Sequence, residues 1–164
     1  SDRGSADVAF GLATRREEPG WGWWIENGHQ TLFESWSLES RSRDHHYFSS
    51  IGDWMRTQLA GLRPGGPGYK QVLIRPEIPD GLEWAEASMR TVHGTAASSW
   101  RVAGGVLSLT VEIPPNTTGE VWLPNRFGSL RDLPRGAERL REEPRFTLYS
   151  VGPGRHRFTT GGSK

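Results

Sequence analysis

The chain reads as mainly β with an α-helical N-terminal third, an arrangement of short helices followed by an antiparallel β-sandwich of roughly a hundred residues. Three observations predict it. After Pro64 the chain breaks into seven short strand-like runs separated by turn signals. Within them, Leu107, Leu109, Val111 and Ile113 alternate with Ser108, Thr110 and Glu112, the period-two pattern of a half-buried strand. Before Pro64, apolar residues recur instead at helical spacing, at Ala6, Ala9, Phe10 and Ala13 and again from Ile51.

Taken in order, Ser5 to Ala13 predicts a short helix with Ser5 as N-cap and Asp7 in the first turn. It is too short to stand alone in water, so it is expected to be the tail of something larger. Arg15 to Gly20 is a polar break. Trp21 to Trp36 has no clean period, with Gly22 and Gly28 as breakers, and Thr31 to Trp36 is expected to open a helix. Ser37 to Asp44 is a charged loop. A second amphipathic helix is expected from Ser49 or Ser50 to about Leu62, with Ile51, Trp54, Met55, Leu59 and Leu62 as its stripe and Gly61 and Pro64 as its stop.

Pro64-Gly65-Gly66-Pro67-Gly68 is a linker or a turn cluster, and it sets the expected domain boundary, 1–63 against 64–164. The strands expected beyond it are Tyr69–Arg75, Leu82–Val92, Thr95–Val102, Val106–Ile113, Glu120–Pro124, Arg145–Val151 and Arg155–Thr159. Ala103-Gly104-Gly105 and Gly152-Pro153-Gly154 join hairpins. Leu130 to Arg141 is expected to be an irregular charged insertion.

Composition narrows the function. Hydrophobic residues make up 34% and charged residues 24%, a globular balance. Formal net charge is +1, so no broad field draws nucleic acid or acidic lipid, and neither is expected as a partner. No apolar run approaches the ~20 residues of a membrane span. Cysteine is absent, which removes disulfides, thiolate nucleophiles and Cys-based zinc sites.

Chemistry concentrates between Trp21 and Trp54. Five of the eight Trp lie there beside Glu26, Glu34, Asp44, His45, His46 and Asp53. Indoles stack on the C–H faces of sugars, and carboxylates and imidazoles bind their hydroxyls. Glu34, bracketed by Phe33 and Trp36, is the leading candidate for a general base. The plainer alternative is a solvated surface glutamate. Glu26 pairs with it as a second carboxylate, the arrangement glycoside hydrolysis uses, or simply belongs to a Glu26-Asn27-Gly28 turn; for Asn27 the turn is the better reading. His45 and His46 suit a general base or a sugar contact. Adjacent histidines rarely share one metal, so no metal and no cofactor are expected. Ser49 and Ser50 lack the glycine pattern of a nucleophile elbow. Asn116-Thr117-Thr118 matches a glycosylation triplet, but after Pro114-Pro115 a turn is the better reading. Trp84, Trp100 and Trp122 offer a sugar-binding face on the sandwich, against the commoner role of core aromatics.

Three motifs then carry a resemblance. WGWWIENGHQTLFESW resembles the bacterial α-L-rhamnosidase pattern W-G-Y-x-I-E-x-G-A-T-T-L-W-E-x-W, and DHHYFSSIGDW resembles N-H-x-x-F-G-S-V-G-E-W. GLRPGGPGYKQVLIRP is similar to A-G-I-x-P-x-x-P-G-[FY]-K-x-x-x-I-x-P. The strand order through IPPNTTGEVWLP and VGPGRHRF also looks like that family's last domain. Departures are Phe33 for Trp, Asp44 for Asn, Gln30 for Ala and Ser49 for Gly.

The resemblance implies that residues 1–63 are the last helices of an (α/α)₆ barrel and 64–164 the C-terminal β-sandwich. It implies an inverting glycoside hydrolase acting on a rhamnose-containing glycoside. Glu34 would be the general base and His45 a sugar contact; Trp21, Trp36 and Glu26, candidates from residue chemistry, are expected to meet the sugar beside them. The general acid would lie in an earlier barrel segment, so the chain is expected to be inactive alone and the remainder of the barrel is its expected partner. The rivals are an accessory carbohydrate-binding sandwich and a helical-barrel glycosidase for another sugar.

Overall fold

The computed structural model describes residues 5–161. The chain divides into two compact units between Met55 and Arg56. Pro64, where the composition changes, ends a strand of the second unit.

The first unit opens with α1 (Ala6–Ala13), which Ser5 precedes as N-cap residue without a side-chain cap bond. Ala6 and Ala13 are buried and Ala9 and Phe10 half-buried, the face expected from their spacing. Helix α2 (Trp21–Glu26) follows, closed by Asn27, whose backbone N–H and side-chain Nδ2 both donate to the Trp23 carbonyl. That double bond explains Asn27 as a helix stop. The expected helix at Thr31–Trp36 does not form; the segment is irregular. Its aromatic residues collapse onto α2 instead of continuing a period.

Helix α3 (Ser50–Trp54) runs on as a π-helical turn, Met55–Leu59. The expected helix therefore stops three residues short of Leu62. The stop is Gly61, at φ +76°, where a Cβ would stand 2.3 Å from the Pro76 nitrogen. Leu62 opens strand β1 (Leu62–Pro64), an edge strand paired antiparallel to β2 (Gln71–Ile74). Of the two readings of the proline–glycine cluster, the turn holds: it closes this hairpin, with the Gly65 N–H on the Gln71 carbonyl at 2.8 Å. Pro64 sits where a sheet edge tolerates a missing donor. The end of the π-turn is capped from the sandwich. The Trp100 indole donates to the Leu59 carbonyl at 2.7 Å and the Ser98 hydroxyl to Ala60 at 2.6 Å.

The remaining strands are β3 (Trp84–Thr91), β4 (Gly94–Ala103), β5 (Val106–Ile113), β6 (Thr118–Pro124), β7 (Ala137–Glu142), β8 (Phe146–Val151) and β9 (Gly154–Thr159). Two sheets result, ordered β1-β2-β6-β8-β7 and β3-β4-β5-β9. All strand pairings are antiparallel except β2 with β6, which is parallel, with β3, β4 and β5 of the second sheet intervening in the chain. Ladder alternation turns Leu107, Leu109, Val111 and Ile113 of β5 inward, where they meet Val72, Ile74, Val121 and Val151. Asn116, at φ +58°, is a turn residue between β5 and β6, and the buried Thr117 hydroxyl donates to the Pro114 carbonyl.

Part of the expected charged insertion is in fact strand: β7 pairs with β8 along the open side of its sheet. Its sequence, AERLRE, hides this because an exposed edge strand has no buried face to alternate. The three sandwich tryptophans do not share a face. Trp100 is 2% exposed, in the core; Trp84 is on the first strand of one sheet, 52% exposed; Trp122 is on the other sheet, half-buried beneath Arg75 and Arg141.

Candidate active site

The tryptophans of the first unit are first of all its core. Trp24 is buried and stacks on Trp36 with ring centroids 4.8 Å apart, and its indole donates to the Trp36 carbonyl at 3.2 Å. Phe33, fully buried, lies 5.4 Å from Trp24. Phe48 packs 4.2 Å from Trp36, and Trp21 meets Trp36 edge-on at 5.1 Å. Trp21 also donates its N–H to the Phe48 carbonyl. Rings in offset and edge-to-face contact add to the area they bury. Phe33 is thus internal, while Trp21 and Trp36 stay half-buried.

On this core sits an irregular ladder. The His45 N–H donates to the Leu32 carbonyl at 2.8 Å and the Glu34 N–H to the Ser42 carbonyl at 3.0 Å; the Thr31 hydroxyl bonds the Arg43 carbonyl. These bonds close the loop 35–41 and hold Glu34 and His45 on facing segments. Arg43 lies over the Phe33 ring at 5.6 Å and donates to Leu38, closing the loop further.

The apolar bracket expected around Glu34 is not there: Phe33 turns inward and Glu34 outward, and Glu34 is exposed. Among the described residues its carboxylate has no hydrogen-bond or ion-pair partner, so both oxygens face water. Glu26 is otherwise engaged, in an ion pair with Arg16 at 3.1 Å. His45 is half-buried and caps the short 3₁₀ turn His46–Phe48, its Nδ1 accepting from the Tyr47 N–H at 3.2 Å. With Nδ1 engaged as acceptor, Nε2 is the ring nitrogen left to donate. His46 stacks on it at 4.8 Å, nearly parallel. The arrangement therefore offers an unencumbered carboxylate and an imidazole oriented by its Nδ1 bond, both above a packed aromatic cluster.

Comparison with known proteins identifies this chain's family. Residues 1–59 match the bacterial α-L-rhamnosidase six-hairpin glycosidase domain, and residues 61–138 match the bacterial α-L-rhamnosidase C-terminal domain. The chain belongs to the bacterial α-L-rhamnosidase family. The α-L-rhamnosidase of Streptomyces avermitilis is 36% identical over 97% of this chain, and one from Formosa agariphila is 32% identical over 75%. The S. avermitilis α-L-rhamnosidase crystal structure, complexed with L-rhamnose, superposes with a TM-score of 0.87 at 34% identity. That of Dictyoglumus thermophilum superposes at 0.85 and 26%. The chain spans 16% and 14% of the two relatives and 16% and 19% of the two solved rhamnosidase chains. The two family models meet between residues 59 and 61, at the Leu59–Gly61 helix stop.

Proposed function

We propose that this chain is the C-terminal part of a glycoside hydrolase that removes terminal α-L-rhamnose with inversion. Residues 1–63 would complete a helical-barrel catalytic domain and 64–164 form its closing sandwich. In this reading Glu34 is the general base and draws a proton from the water that attacks the anomeric carbon. A carboxylic acid from an earlier part of the barrel protonates the leaving oxygen, with the two carboxyl groups about 6.5–9.5 Å apart to admit that water. His45 donates its Nε2–H to a sugar hydroxyl, and Trp21 and Trp36 flank the ring. Glu26 lies at the periphery of the site, restrained by Arg16.

The observation that carries the reading is Glu34 itself. It occupies the base position of the family motif, its backbone is tied to Ser42, and its carboxylate is free to hold a water. A base must reach its water before its basicity matters. The carbohydrate-module rival is weaker, because Trp100 is buried and Trp84 and Trp122 lie on different sheets.

Two assays test it. The chain alone, given an aryl α-L-rhamnoside, is expected to show no turnover; turnover that disappears in Glu34→Gln would overturn the view that the acid lies elsewhere. Joined to a complete helical domain, Glu34→Gln is expected to lower kcat by about 10²–10⁴ with little change in KM. NMR of the first-formed sugar should then show the β-anomer; the α-anomer would rule out inversion.

A further inference from the structure

The second unit holds a cleft of about 320 Å³ at the β6-β8-β7 side of its first sheet, at the small end of the range for ligand pockets. The loop Asn125–Leu130 roofs it. That loop is fastened to the other sheet by the Leu130–Thr160 bridge and by the Gly161 N–H on the Ser129 carbonyl at 2.7 Å. The cleft is therefore framed by hydrogen-bonded backbone on both sides.

Its walls are polar and are brought together by one irregularity. Arg139 and Glu142 are three positions apart on β7, and on a regular strand they would face opposite ways. A bulge between Arg139 and Arg141 resets the register, so that Arg139 stands opposite Tyr149 and Glu142 opposite Thr147. Both now line the cleft and pair with each other. Bulges commonly re-aim a side chain toward a site. Asn125 is locked in place, accepting from the Thr147 hydroxyl and donating to the Glu143 carbonyl, each at 2.8 Å.

Tyr149 is the decisive residue. It is 6% exposed, and its ring packs on Phe158 in the core. Tyr149 lines the cleft, and its hydroxyl makes no hydrogen bond among the described residues, which leaves it available to a ligand there. Burial pushes the phenol pKa up; the nearby Arg139 charge opposes this and the Glu142 charge adds to it. The hydroxyl is thus a neutral donor at the cleft wall.

We infer that this cleft binds a neutral polyhydroxylated ligand the size of one monosaccharide residue. The lining carries one cation and one anion already paired, so an ionic ligand would leave one of them opposed. A ligand with adjacent hydroxyls can donate to Glu142 and accept from Arg139 and Tyr149 together. Leu123 and Leu130 give its C–H face an apolar floor. The inference is independent of the role proposed for Glu34.

The test is an amide NMR titration of the full chain with methyl α-L-rhamnoside, methyl α-D-glucoside and, as a charged control, sodium acetate. At least one glycoside is expected to give saturable shifts at Asn125, Ser129, Thr147 and Tyr149, with Kd on the order of millimolar. Tyr149→Phe, which removes only the hydroxyl, is expected to preserve the spectrum and weaken binding about five- to tenfold. Arg139→Ala with Glu142→Ala, both on an exposed edge, is expected to abolish saturation. Absence of saturable shifts with both glycosides, equal shifts with acetate, or unchanged affinity in Tyr149→Phe would each overturn the inference.

Discussion

The backbone N–H of His45 donates to the carbonyl of Leu32 at 2.8 Å, across a loop that returns the chain beside Glu34. This bond, with that from Glu34 to Ser42, sets the spacing of the two candidate catalytic-domain side chains without using either side chain. Their chemistry is therefore open to substitution without loss of the loop.

His45 has a second duty that substitutions can separate. His45→Ala removes the acceptor for the Tyr47 N–H and is expected to cost about 1 kcal/mol, read from a denaturant midpoint. His45→Asn keeps a capping oxygen and is expected to stay within about 0.5 kcal/mol of wild type. Equal losses in both would mean that the cap contributes nothing.

Trp24→Ala should destabilise the first unit by about 3–5 kcal/mol, because it empties the centre of the Trp24, Phe33, Trp36 and Phe48 cluster. Near-UV circular dichroism would report the loss of ring packing. A change below about 1 kcal/mol would show that the cluster is not a core.

Gly61→Ala is expected to cost about 3 kcal/mol or more. The residue sits at positive φ and its Cβ would strike the Arg75–Pro76 backbone, which cannot yield as a flexible side chain would. Thermal unfolding of the variant checks this. Trp100→Phe in the same region should cost about 1–3 kcal/mol by leaving the buried Leu59 carbonyl without its donor.

Tyr149 makes stability fall in alkali. Its folded pKa lies above the ordinary phenol value of 10.0, chiefly from burial, so the folded state holds the phenolic proton more tightly than the unfolded chain does. The contribution is fully present below pH 10.0 and disappears as pH rises through the folded pKa. Urea midpoints measured above pH 10 should drop more steeply in wild type than in Tyr149→Phe. Parallel slopes would count against it.

Legibility in the sequence followed burial. Strand β5 was visible at both ends because each inward position is apolar and each outward one after Val106 is polar. Strand β7 was invisible because both of its faces are wet. Leu62 fitted the stripe of the preceding helix and the inner face of β1 equally well, and only the positive φ at Gly61 separates the two. In the candidate site, Glu34 and His45 were singled out by residue chemistry, and the motif resemblance then gave each a role. The bonds that bring their segments together join irregular backbone, which leaves no periodic trace. The bracket expected around Glu34 failed for a related reason: an aromatic residue beside a carboxylate reads the same whether it lines a pocket or, as Phe33 does, fills a core.

The parallel pairing of β2 with β6 sets an order on folding. Gln71 cannot meet Thr118 until the intervening chain has been drawn in, and closing so long a loop is entropically slow. The local β3–β4 and β4–β5 hairpins carry no such delay. We expect them to form the nucleus, with β1 and β2 docking late. High φ-values at Trp100 and Leu109 with low ones at Leu62 and Val72 would express that order, and the reverse would refute it. The stretch leading from the glycosidase-like unit into the sandwich would then be the last to become fixed, and the first to fray under load.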